Sequence, residues 1–147
     1  MSSTLLNPVG FQDAPGWEHT AVSLAPELLS NNAVTWSSNV GLDPDRGTWP
    51  TNLVPTLPET GVVVFVSTAM HVDDPESYPP RELPLRLEDG YFIAAGYQGQ
   101  PASHVSTALI YAFAAGRYVF VQIYYGATTP SEEMFAEAQA QVQRLTL

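Results

Sequence analysis

The densest concentration of reactive side chains is the run Met70–Glu76 (MHVDDPE), where His71, Asp73, Asp74 and Glu76 follow directly on an apolar β-branched segment. Loops that leave a strand commonly carry ligand-binding groups. If the extended conformation continued through this run, His71 and Asp73 would share a face. That gives an N,O pair suited to zinc or manganese, with Asp74 or Glu76 completing the set, as a small metal-dependent hydrolase would require. An acidic, solvated surface loop is the more ordinary role of such a stretch.

Two other constellations are weaker. Asp43, Asp45 and Gly47 match the first half of a calcium loop, but the twelfth position is Val54 where a bidentate glutamate is needed, so a proline-initiated turn accounts for them. Ser103 and His104 are sequence neighbours, which point apart on extended chain, and no Gly-x-Ser-x-Gly elbow occurs. No catalytic residue and no cofactor is assigned from these patterns.

The aromatic complement of three Trp, seven Tyr and six Phe exceeds what a small sheet-and-helix core needs to enclose. Tyrosine and tryptophan suit half-wet positions, so Trp36, Trp49, Tyr78, Tyr91 and Tyr97 are candidates for an aromatic-lined binding face.

Composition removes whole reaction classes. All 5 basic residues are arginine and cysteine is absent. Schiff-base and P-loop lysines, thiol nucleophiles, cysteine zinc sites and disulfides are therefore excluded. Five scattered arginines against 15 carboxylates cannot build a phosphate-neutralising surface, so neither nucleic acid nor an anionic membrane is an expected partner. No apolar run approaches the length of a membrane span, and Met1–Phe11 has neither a basic start nor a signal-length apolar stretch.

The 147 residues suit one domain with an adequate core. Residues Met1–Gly16 are turn-rich and read as an arm, with a single domain over 17–147. Alternation predicts a strand from His19 toward Leu24, and Val34–Val40 a second. The β-branched run Gly61–Thr68 predicts a central strand covered on both faces. Residues 72–90 read as a long connection in which Leu83, Leu85 and Leu87 alternate as a short edge strand, and Thr51–Leu57 allows at most one helical turn.

The clearest unit is C-terminal. Ala108–Ala114 and Arg117–Tyr125 predict a hairpin reversed at Ala115–Gly116. Thr129, Pro130 and Glu132 then resemble a capping box opening a helix whose stripe is Phe135, Ala138, Val142 and Leu145. Together these elements predict an α+β domain, a mostly antiparallel twisted sheet of five to seven strands with the C-terminal helix packed on one face.

Over residues 58–147 the segments Leu83–Leu87 (LPLRL), Gln122–Gly126 (QIYYG), the Pro130–Glu133 helix start and the closing Leu145–Leu147 resemble uncharacterised actinobacterial single-domain extracytoplasmic proteins. The hairpin followed by a terminal helix is also similar to the α/β sandwich of PsbP/Mog1-like proteins. That resemblance implies a binding or accessory module outside the cytoplasm, acting on a protein partner or a small ligand. Self-assembly into a homo-oligomer through an unpaired strand edge or the exposed aromatics is the remaining alternative.

Overall fold

The computed structural model describes residues 10–22, 32–40, 57–69, 72–93 and 105–146. Its centre is a six-stranded, wholly antiparallel sheet. The strands are β2 (Glu18–Val22), β3 (Asn32–Ser38), β4 (Val62–Ala69), β5 (Tyr91–Ile93), β6 (Ser106–Ala114) and β7 (Arg117–Tyr125), in the spatial order β2-β3-β4-β7-β6-β5. A second ladder of two residues per strand pairs β1 (Gly10–Phe11) with β8 (Leu145–Thr146). The helix among the described residues, α1 (Glu132–Val142), covers one face, which establishes the expected α+β class.

The predicted hairpin is β6–β7. Ala115 and Gly116 both take positive φ, 51° and 79°, the backbone of a two-residue turn whose twist matches its flanking strands. β4 lies in the sheet interior between β3 and β7, and its Val62, Val63, Val64 and Val66 are fully enclosed. On the covered face Val62, Val64 and Val66 meet Val119, Val121 and Ile123 of β7, Ile110 and Ala112 of β6, and Met134, Ala138 and Val142 of α1. Gly126 ends β7 where any Cβ would strike the carbonyl of Pro58, and its own N–H donates to Gly61 O at 2.9 Å.

Several expectations need correction. The cap of α1 is Ser131, whose hydroxyl accepts the Met134 N–H at 3.2 Å; Thr129 stands exposed two residues earlier and Pro130 precedes the cap. The buried side of the helix is Met134, Ala138, Gln141 and Val142, with Phe135 only half-buried against Tyr125 and Phe92. Leu145 is off the helix and pairs with Phe11, because the chain turns out of α1 at Gln143 and Arg144.

Leu83, Leu85 and Leu87 form no strand. Leu85 alone is fully buried, Leu87 opens a 3₁₀ turn through Asp89, and Pro84 has no N–H to give a ladder. The edge strand on this side is Tyr91–Ile93.

Residues 10–16 are also more than an arm ahead of Trp17. Phe11 and Ala14 enter the core, and the enclosed Gln141 amide accepts the Ala14 N–H at 3.0 Å while donating to the Asp13 carboxylate at 2.9 Å. The helical turn expected at Thr51–Leu57 lies, apart from Leu57, outside the described residues.

Candidate binding face

Because side chains alternate across a strand, the register that sends Val119, Val121 and Ile123 toward α1 sends Tyr118, Phe120, Gln122 and Tyr124 the other way. Pairing of Tyr111 with Phe120 and of Phe113 with Tyr118 then brings rings together across β6 and β7, each pair with centroids 4.9 Å apart. Phe65 of β4 meets Phe120 edge-on at 6.3 Å, and Tyr91 of β5 meets Tyr111 at 6.3 Å. One band of rings therefore crosses four adjacent strands on the face opposite α1.

Tyr78 joins this band from a loop. The 3₁₀ turn Pro75–Ser77 is closed by Ser77 N–H to Asp74 O at 2.9 Å and Tyr78 N–H to Pro75 O at 3.1 Å. The chain then runs alongside β6: Phe113 N–H donates to Pro79 O at 2.9 Å and Arg81 N–H to Phe113 O at 3.0 Å. This anchoring sets the Tyr78 ring edge-on to both Tyr111 and Tyr118, at 5.3 and 5.4 Å. Tyr78, Tyr111, Tyr118 and Phe120 are all half-buried, whereas Tyr91 is 60% exposed and Phe113 37%.

An open cleft of about 320 Å³ lies at one end of the band. The end of β4 (Ser67–Ala69), Tyr118 and Phe120 form its floor, and Val72, Asp73, Asp74 and Tyr78 form its wall. Burial first, then the Asp74 carboxylate and Tyr111, holds the Tyr78 hydroxyl above its ordinary pKa. Tyr111 is raised likewise, by burial and then by Tyr91 and Asp74. Beneath the cleft Arg117 is buried, with its guanidinium 3.4 Å from the Thr68 hydroxyl, and loss of water lowers its pKa.

Of the candidate residues, Tyr78 and Tyr91 belong to the band, and Trp36 occupies the register position opposite Phe65 on β3. Trp49 and Tyr97 lie outside the described residues. Asp73 and Asp74 border the cleft and Glu76 stands exposed on the turn, while His71 lies outside the described residues. Among the described residues no three histidine or carboxylate side chains gather into a metal site, and no helix is long and apolar enough to cross a membrane.

The rings that complete the band, Phe65, Tyr111, Phe113, Tyr118 and Phe120, were absent from the sequence-based candidates. Their signal on the hairpin is the alternation of large rings with aliphatic residues, which puts Tyr111 and Phe113 of β6 and Tyr118 and Phe120 of β7 on one face. No known protein family, characterised protein or solved structure matches the chain.

Proposed function

We propose that the protein is a non-catalytic binding or accessory module that recognises a partner through the aromatic face opposite α1. The observation that carries this reading is the continuous ring contact from Phe65 to Tyr91 left part-open to solvent. An aromatic surface of this kind offers large contact area at low conformational-entropy cost, and such exposed apolar groups are enriched where proteins meet partners. The resemblance to extracytoplasmic actinobacterial proteins supports placing that partner at the cell envelope.

The test compares wild type with a Tyr91→Ser/Phe113→Ser double variant. Both side chains are exposed, so the variant should fold with a near-native melting temperature. The wild type is expected to retain a defined envelope component that the variant loses. Equal retention by both, or none by either, would overturn the reading.

A further inference from the structure

Resting on that reading of the aromatic face, we propose that the cleft between Asp73, Asp74, Tyr78 and Tyr118 receives an arginine guanidinium presented by a partner polypeptide. Three observations converge on it. The first is ring geometry: Tyr78 stands at 73° to Tyr118, which lines the cleft with it, and at 83° to Tyr111 in the adjoining band, so ring edges and π-faces meet where the cleft joins the band. Cations are attracted to such ring faces, and a guanidinium can stack on them.

The second is charge. Among the described residues the carboxylates of Asp73 and Asp74 have no ion pair. The chain's own described arginines are engaged elsewhere: Arg81 with Asp89 at 3.1 Å, Arg86 with Glu88 at 3.3 Å, Arg144 with Gln12 O at 3.3 Å and Arg117 below the cleft floor. With no lysine in the chain and a net charge of −10, no arginine among the described residues supplies the complementary cation, and a basic partner would.

The third is shape. At about 320 Å³ and open on one side, the cleft is near the lower limit of small-molecule pockets and encloses one side chain rather than a whole ligand. It continues into the band through Tyr111, Phe113 and Tyr91, a path along which a polypeptide would lay flanking residues. Arginine fits better than lysine because its planar fork can lie on a ring while turning two N–H groups toward one carboxylate.

The experiment titrates isotope-labelled full-length protein with an acetylated, amidated Gly-Arg-Gly-Arg-Gly peptide and follows backbone amide resonances. Shifts should centre on Asp73, Asp74, Tyr78 and Tyr118 and weaken at high salt. The same peptide with citrulline in place of arginine, neutral but of the same shape, should bind about tenfold more weakly. An Asp73→Asn/Asp74→Asn variant and a Tyr78→Leu variant should each lose about the same factor, the Asn/Asn variant without a change in melting temperature because the two aspartates are exposed.

Equal binding of the citrulline peptide, shifts centred elsewhere, or an unaffected Asn/Asn variant would overturn the proposal. So would methylguanidinium binding as tightly as the peptide, which would make the cleft a small-molecule site, or zinc or manganese binding there in place of the peptide. If the peptide gives no shifts while the Tyr91→Ser/Phe113→Ser variant still loses its envelope partner, the arginine inference fails and the binding face stands.

Discussion

The two faces of the sheet are made by the same strands and differ in almost every physical property. Under α1, β4, β6 and β7 present valine, isoleucine and alanine packed to near-complete exclusion of water. On the reverse, the same three strands present Phe65, Tyr111, Phe113, Tyr118 and Phe120 in edge-on or tilted ring contacts, none of them fully buried. The covered face is held by volume matching, where each methyl group has neighbours on all sides. The open face is held by pairwise ring contacts that survive partial hydration, so its rings can exchange water for a partner without disturbing the core.

That contrast breaks most visibly by truncation. Ile123→Ala on the covered face should cost about 2–5 kcal/mol in urea unfolding, whereas Phe113→Ser should cost under about 1 kcal/mol. Equal losses would mean that the two faces contribute alike to stability. At the seam, Gly126→Ala should cost about 3 kcal/mol, because the added methyl meets the Pro58 carbonyl and the end of β7 must shift.

Gln141→Leu keeps the volume but leaves the Ala14 N–H without its acceptor and takes one donor from the Asp13 carboxylate, which keeps its contact with His19. A loss of about 2 kcal/mol is expected, together with faster hydrogen exchange at Ala14.

Tyr125 sharpens the comparison from the other direction. Of the described tyrosines it is the one wholly enclosed, beside α1, and its hydroxyl has no hydrogen-bond partner among the described residues. Tyr125→Phe should therefore be neutral or gain up to about 1 kcal/mol at pH 7. Burial also raises the Tyr125 pKa above the ordinary tyrosine value of 10.0, as it does more mildly for Tyr78 and Tyr111. Below pH 10 all three are protonated in both states and contribute nothing to the slope. Above it the unfolded chain releases protons first, so stability falls as pH rises. Tyr125→Phe should flatten that alkaline fall more than Tyr78→Phe, as read from unfolding curves on either side of pH 10.

The smallest expected effect is Tyr91→Ser alone, within about 0.5 kcal/mol in stability while weakening partner binding.

The hairpin was legible because alternation and a small-residue turn are local signals, and β4 because five consecutive β-branched or aromatic residues, Val62 to Val66, have few other uses. The helix was legible in kind but not in detail. Thr129 and Ser131 both carry capping hydroxyls two residues apart, and only the direction of the incoming chain selects Ser131. Leu145 continued the helical spacing by coincidence, since its partner Phe11 lies at the opposite end of the sequence.

Gln141 was hidden for the same reason: in an Ala/Gln-rich helix nothing local marks which glutamine is enclosed. At the candidate site each ring could be named from the sequence, but which rings touch is a matter of strand register. The loop that brings Tyr78 onto the face is fixed by backbone bonds to Phe113, some thirty positions onward, that no local pattern announces.

The β1–β8 ladder has a mechanical corollary. Gly10 sits opposite Thr146 and Phe11 opposite Leu145, so tension applied through the two outer ends would load the rungs one after the other, as a zip opens, instead of all at once in shear. Tethered from both sides, the molecule should yield first at this clasp at low force, drawing Phe11 away while the six-stranded sheet still holds its shape.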